Sequence, residues 1–351
     1  MANLTTKGWV NIGESTEMGD LNSAAKRQLG KSDLECAPVG LGCMSFSGAY
    51  GSANDEETID FVRYAIDMGT DFLDSSDMYG WGHNEEVLGR ALSDGFRDKI
   101  VLATKFGQTQ LRGGGMGVDG RPEYVIEACE KSLQRLGVNE IDLYFQHRVD
   151  KNVPIEDTVG AMAKLVEQGK VRAIGICEAK PATIRRAHAT HPLAAVQSEF
   201  SIMYRVEAEQ IYETTAELGI SFVAYSPLGR GLLTDQYLMA DSVDENDPHH
   251  KHPRFIGENF SINKELAARI ARFAEGKKCT PAQLALAWLI GRGEDIIVIP
   301  GTKRPERHDE NVAAVSLHLT SQEIEEISAL VPIGSAAGDR YAEVQMTKVF
   351  V

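Results

Sequence analysis

The sequence predicts an α/β fold, a (β/α)8 TIM barrel, and three observations carry that prediction. Short apolar runs rich in β-branched residues alternate with amphipathic stretches of helical period. The alternation runs through eight rounds in 351 residues, a length that a single α/β barrel commonly takes. Several helical stretches close on glycine, as left-handed helix ends require. Crossovers between parallel strands are right-handed, so eight such units in one sheet close most naturally into a barrel. A doubly wound open sheet is the alternative. It is disfavoured because Val39-Gly40-Leu41-Gly42-Cys43-Met44 runs into a loop, without the GxGxxG and helix start expected after a first strand.

Strands are expected near residues 37–43, 71–74, 100–105, 141–147, 171–177, 194–199, 221–226 and 295–300. Helices are expected near 55–68, 84–94, 122–136, 155–168, 180–190, 207–218, 264–276 with 281–291, and 305–315. Asp55 suits the first helix cap, Pro122 and Pro154 suit first turns, and Gly137, Gly169 and Gly219 suit helix ends. Residues 1–30 read as a polar extension ending in a short hairpin across the barrel's bottom. Residues 31–331 read as the barrel, and 332–351 as a tail after a last helix near 320–330. Two loops stand out on the face where strands end: glycine-rich Arg112–Gly120 and the long insertion Thr234–Asn263.

With 43% hydrophobic residues the chain can bury a sizeable core. Its 36 basic and 51 acidic residues give −15, which argues against nucleic acid or an anionic membrane as partner. A local basic cluster still suits an anionic ligand. Cys36, Cys43, Cys129, Cys177 and Cys279 show no CxxC pairing, so they read as reduced thiols of a cytoplasmic protein. Residues 1–20 lack an apolar core of signal-peptide length, and no apolar run is long enough to span a bilayer. A homo-oligomer is compatible with the chain.

Four polar residues sit at or just beyond the ends of separate apolar runs: Asp74, Tyr79, Lys105 and His147. Strand ends are where a parallel barrel assembles its active site. A phenol is a poor acid at neutral pH, with an ordinary pKa of about 10. An adjacent ammonium favours the phenolate and lowers that value, and a carboxylate behind the lysine keeps the amine charged. A neutral imidazole hydrogen-bonds a carbonyl oxygen and fixes its direction, which suits carbonyl reduction by hydride. Taken singly, each has an ordinary explanation: a lumen ion pair, a loop aromatic, a satisfied core histidine. Taken together at three consecutive strand ends, they favour chemistry.

These residues lie in stretches that resemble the aldo-keto reductase family. They include Asp74-Ser75-Ser76-Asp77-Met78-Tyr79-Gly80 with Asn84-Glu85-Glu86, Ala103-Thr104-Lys105, and Asp142 to Asp150 through Gln146-His147-Arg148. Gly175-Ile176-Cys177-Glu178, Ala195-Val196-Gln197, Ala224 to Gly231, and Ile299-Pro300-Gly301-Thr302-Lys303 with Arg307 and Glu310-Asn311 continue the match in order over roughly 27–330. The resemblance is nearest to the branch of perakine reductase and pyridoxal reductase.

The resemblance implies Tyr79 as proton donor, Lys105 as its modulator, Asp74 as the lysine's partner and His147 as the orienting residue. It implies NADPH/NADP+ as cofactor. Gln197, with Cys177 and Glu178, would hold the carboxamide, Tyr225 would stack on the nicotinamide, and Gly42 and Met44 would lie beside the cofactor. Ser226, Pro227, Leu228, Gly229, Arg230, Gly231 and Leu232 would wrap the pyrophosphate. Thr302, Lys303, Arg304 and Arg307, at the start of the last barrel helix, would take the 2′-phosphate, and Glu310 and Asn311 the adenine. The family usually has serine at position 177 and often asparagine at 178. Many members carry lysine at Gly301, a role that falls here to Lys303 or Arg304.

Phe46 and Trp81 are candidate walls of the substrate pocket, with ordinary loop packing as the alternative. Asp247-Pro248-His249-His250-Lys251-His252 reads as a solvated polar insertion, so no metal is expected. Gly113-Gly114-Gly115 lacks a following Gly-Lys-Ser/Thr and reads as a mobile substrate loop. Cys43 and Cys177 read as small buried fillers. The expected activity is reversible, NADPH-dependent reduction of a small aldehyde or ketone to the alcohol. Two alternatives are a sensor that binds NADPH on the same fold with little turnover, and a hydrolase built on Asp74 and another carboxylate.

Overall fold

The β-branched runs become strands of one parallel sheet, and the amphipathic stretches become the helices that cover it. The computed structural model describes residues 21, 24–48, 51, 53–111 and 114–351. Most of the expected extension at 1–30 and two residues of the glycine-rich loop, Arg112 and Gly113, lie outside these. Strands β1 (Arg27–Gln28) and β2 (Glu35–Cys36) form an antiparallel hairpin, with Gly30 in its turn. The barrel strands follow: β3 (Leu41–Gly42), β4 (Phe72–Asp74), β5 (Val101–Phe106), β8 (Ile141–Gln146), β9 (Val171–Cys177), β10 (Ala195–Glu199), β11 (Ser221–Tyr225) and β12 (Ile296–Ile299). Between β5 and β8, β6 (Gln108–Gln110) and β7 (Met116–Val118) make a second hairpin from the glycine-rich loop.

The sheet order is β3-β4-β5-β8-β9-β10-β11-β12, and a parallel bridge between Val39 and Val298 closes it. Of the expected first strand only Leu41–Gly42 pairs as a strand. Pro38 has no N–H to donate, and the chain there bonds intermittently, through Gly40 N to Val298 O and Val298 N to Pro38 O. The result is the (β/α)8 barrel.

Helices α1 (Asp55–Asp67), α2 (His83–Ala91), α3 (Pro122–Leu136), α4 (Ile155–Glu167), α5 (Pro181–Thr190) and α6 (Val206–Leu218) each follow a strand. They continue with α7 (Asp235–Leu238), α8 (Gly257–Gly276), α9 (Pro281–Ile290), α10 (Pro305–Val312), α11 (Ser321–Leu330) and the short α12 (Glu343–Met346). The cap of α1 is Asn54, not Asp55: its Oδ1 accepts from the N–H groups of Glu56 and Glu57. Thr280 with Gln283, and Thr320 with Glu323, form capping boxes on α9 and α11. Helix α8 starts seven residues before the expected 264, because Phe260 and Asn263 are buried on its first turns.

The lumen is apolar at its lower end. Phe72, Val101, Leu143, Phe145, Val223 and Ile297 fill it, and Leu29 and Leu34 of the β1–β2 hairpin pack beneath them. Gly175 makes room for this filling, since a Cβ there would sit 2.4 Å from the Phe145 ring. Arg27 fastens the hairpin by donating to the Ile290, Gly293 and Ile296 carbonyls.

Candidate active site

Strand β4 ends at Asp74, and the chain keeps pairing beyond it. Ser75 N donates to Ala103 O at 2.9 Å and Asp77 N to Lys105 O at 3.0 Å, so the turn after β4 is laid against β5. A short 3-10 turn, Tyr79–Gly82, then passes through left-handed Gly80 and Trp81. Buried Asn84 locks that turn: it accepts from Ser75 Oγ at 2.7 Å and donates to Cys43 O at 2.9 Å and Ser47 Oγ at 3.1 Å. Lys105 enters from β5, and His147 follows β8 directly, its N–H donating to Phe106 O at 2.7 Å.

These elements bring the four expected residues together. Lys105 Nζ donates to Asp74 Oδ2 at 2.5 Å, to Ser75 O at 2.7 Å and to Tyr79 Oη at 3.4 Å. The Tyr79 and His147 rings meet edge to face at 5.9 Å, and His147 Nδ1 lies 3.0 Å from Ser76 Oγ. Burial works against the Lys105 ammonium, but Asp74, then Tyr79 and Cys177, outweigh it and hold the lysine above its ordinary range. Burial, with Arg148 and Lys105 nearby, pushes His147 well below its ordinary value, so the imidazole is neutral at neutral pH. The phenol departs from expectation. Burial raises Tyr79 above the ordinary phenol value, and Lys105 only opposes that rise. Tyr79 is therefore fully protonated at neutral pH.

The tetrad opens into a cavity of about 590 Å³. Gly42, Met44, Gln197, Tyr225, Ser226, Pro227, Leu228, Arg230 and Gly231 line it, with Thr302, Arg304, Arg307, Glu310 and Asn311 towards α10. Gln197 Nε2 donates to Asp74 Oδ1 at 2.8 Å. The turn after β11 is contorted, with positive φ at Ser226, Gly229, Arg230 and Gly231, which draws its backbone in along the wall. At the far end Arg307 pairs with Glu310 at 2.6 Å, and Thr302 Oγ1 accepts from Arg304 N at 3.1 Å.

Several expected residues are placed elsewhere. Phe46 is buried in the main core, edge to face with Phe61 at 5.9 Å, and does not line the cavity. Trp81 is turned to the surface, 45% exposed, by the left-handed turn that carries it. Cys177, Gly229 and Leu232 are covered by packing and lie off the wall, and so does Lys303. Burial lifts the Cys177 thiol to about 12, consistent with a filler.

Glu178 is the main surprise. It lies behind the wall, wholly buried, and its two oxygens take both arms of Arg340 from the tail at 2.8 and 2.7 Å. Burial alone would raise its carboxyl, but Arg340, then Arg148, bring it to about 2. Tyr225 Oη donates to Glu178 Oε1 at 2.8 Å and sits 3.0 Å from Tyr341 Oη. Glu199 alongside pairs with Arg254 at 2.8 Å and Arg230 at 3.1 Å. The tail thus docks through a buried ion cluster and walls the tetrad end with Tyr341, Gln345, Lys348 and Val349. Arg148, Met78, Gln108 and Met116 complete that end. No sequence motif marks Arg340 or Tyr341; an Arg-Tyr pair in a polar tail carries no periodic or spacing signal.

From the insertion, Asp247, Pro248 and His249 form an outer wall. His249 Nδ1 is held by Asp247 at 2.9 Å and Tyr237 at 2.8 Å. Among the described residues no group of three or more His, Cys, Asp or Glu is arranged to hold a metal, and no helix is long and apolar enough to cross a membrane.

The Aldo/keto reductase family profile matches residues 38–332. The chain is 46% identical over 315 residues to a probable aldo-keto reductase 1 of Glycine max, covering 90% of this chain and 91% of that one. It is similar to the solved glycerol dehydrogenase of Gluconobacter oxydans, with a TM-score of 0.79 at 26% identity over 87% of this chain and 94% of the other. An aldo-keto reductase from Bacillus halodurans, in its holo form, gives 0.72 at 27% identity over 91% and 99%. A barrel with these four residues at its strand ends and this match along most of its length has one reading: the chain belongs to the aldo-keto reductase family, the NADP-dependent oxidoreductases that act on small carbonyl compounds.

Proposed function

We propose that this protein reduces an aldehyde or ketone to the alcohol, reversibly, with Tyr79 as the proton donor. The carrying observation is the Asp74–Lys105–Tyr79 chain of contacts beside a neutral His147, at one end of a cavity whose other end gathers Arg304 and Arg307. The cofactor suits that cavity. Its far end offers two guanidinium groups and the N-terminus of α10, which together favour a phosphate. Its middle offers a left-handed backbone turn, and its near end the Tyr225 ring and the Gln197 amide. NADPH, when bound, supplies the hydride.

The chain's own residues then have distinct tasks. His147, with Nδ1 engaged by Ser76, hydrogen-bonds the carbonyl oxygen through its other nitrogen and fixes its direction. Tyr79, kept protonated by burial, gives its proton to the alkoxide oxygen as negative charge develops there. The ammonium of Lys105 stabilises the phenolate left behind, and Asp74 keeps that ammonium in place. Gln197, bonded to Asp74, ties the carboxamide site to the tetrad. The five free cysteines support a cytoplasmic setting.

The test is NADPH and NADH oxidation against small and aromatic aldehydes, pyridoxal, sugars and ketones, with Tyr79→Phe as control. Turnover in the variant should fall by roughly 10²–10⁴-fold, with NADPH affinity nearly intact. Full activity in Tyr79→Phe would sink the assignment, and tight NADPH binding without turnover on any carbonyl would favour a sensor.

A further inference from the structure

The cations around the tetrad are not all alike. Lys105 is matched by Asp74, Arg340 by Glu178, and Arg254 by Glu199. Arg148 is the exception. It follows His147 directly and lines the same cavity, yet among the described residues it makes no ion pair with any carboxylate. Among the described residues its side chain makes one hydrogen bond, from Nη1 to the carbonyl of its own neighbour, His147, at 2.7 Å.

The carboxylates nearby are already committed. The oxygens of Asp74 go to Lys105 and Gln197. Those of Glu178 go to both arms of Arg340, and also to Ser198 and Tyr225. A second cation shares this end: Lys348 of the tail, whose ammonium donates to the Met116 carbonyl and has no carboxylate partner among the described residues. Met78, Met116 and Val349 add apolar surface to the lining of the same cavity. Arg148 is only half-buried, and Glu178, already paired with Arg340, acts on it through its field without an ion-pair contact; a guanidinium so placed gains from a direct anionic partner.

We infer that Arg148, assisted by Lys348, holds an anionic group of the substrate, so that the favoured carbonyl compound carries a carboxylate close to its carbonyl. This rests on the reductase reading above and adds the substrate class to it. A guanidinium binds a carboxylate through two parallel hydrogen bonds, which fixes orientation as well as charge. Because Arg148 adjoins the histidine that orients the carbonyl, one ligand reaches both only if its two groups are separated by a short spacer.

The experiment compares 4-formylbenzoate with 4-formylbenzamide, two aldehydes of nearly the same shape that differ in charge. The wild-type chain should favour the acid by at least about tenfold in kcat/KM, and rising salt should erode the preference. In Arg148→Gln the acid-to-amide ratio of kcat/KM should fall to near unity, because KM for the acid rises by more than any change that the amide shares, while NADPH affinity stays within a few-fold. Lys348→Met should move the ratio the same way by less. A wild-type ratio at or below one, or a ratio that survives Arg148→Gln, overturns the inference. Equal loss on both aldehydes also overturns it, since Arg148 would then act only through the His147 backbone. Calorimetric binding of benzoate and benzamide to the NADP+-loaded protein tests the clamp without turnover: absence of turnover on every carbonyl defeats the reductase reading, whereas benzoate binding no tighter than benzamide defeats the clamp.

Discussion

The two ends of this barrel are made of opposite materials. At the lower end the β1–β2 hairpin presses Leu29 and Leu34 onto Phe72, Val101 and Ala194, and the charged groups there stay out of this apolar cluster, as in the Lys26–Asp71 pair and in buried Asp142 with Arg97 and Arg172. At the upper end the interior holds Asp74, Lys105, Glu178, Glu199, Arg254 and Arg340, all buried. Burying an ion pair costs desolvation that apolar packing avoids, so paired charges are a weak route to stability. Their concentration at one end holds the tail in place and fits the chemistry proposed above. The lower end supports the fold, and the upper end holds the tail and the groups to which the proposed reaction is assigned.

Mutations at the two ends should therefore fail differently. The largest effect is expected from Arg340→Met, which leaves Glu178 buried without its main partner. Stability measured by urea unfolding should fall by about 3–5 kcal/mol, and turnover should fall with it, because Tyr225 and Tyr341 lose their support. The acid limb adds a sign. Glu178 has a folded value of about 2, below its ordinary one. Its stabilising contribution is thus complete above the ordinary carboxylate range and is lost as pH falls towards 2. In Arg340→Met the acid-unfolding midpoint should move up. Full activity and an unchanged midpoint would remove the tail from the site.

A somewhat smaller effect is expected below. Leu34→Ala should cost about 2–5 kcal/mol, read from the same unfolding curves, while kcat at temperatures below the transition stays at the wild-type level. A turnover defect comparable to the stability defect would erase the distinction between the ends. The smallest effect is a flat profile. Because His147 is held well below its ordinary value, it remains neutral through the usual imidazole range, and Tyr79, held above its own, remains protonated. The reductive kcat/KM should show no inflection near about 6.5. A clear histidine limb there would mean a solvated imidazole.

Legibility followed the range of the interactions. Strand β9 and helix α3 were readable to the residue, because alternation of apolar runs, a proline in the first turn and a closing glycine are local signals. Asp74, Lys105 and His147 were readable because each ends an apolar run, and Tyr79 because a short turn separates it from Asp74. Phe46 and Trp81 were misread, since an aromatic beside a site residue points inward or outward according to the turn beneath it. Left-handed Gly80 and Trp81 settle that for the indole. Arg148 carries no local signal of its own beside His147; only the cavity shows that it lines the site without an ion pair among the described residues.

Element order, helix ends and the four strand-end groups follow from the primary structure, because periodicity, capping and chain punctuation act over a few residues. Partnership was decided by packing. Glu178 and Arg340 lie 162 positions apart, and nothing local couples them. Packing also decided the direction of the phenol's shift: adjacency to a lysine argues for a lower value, but complete burial penalises the phenolate more than that one ammonium relieves it.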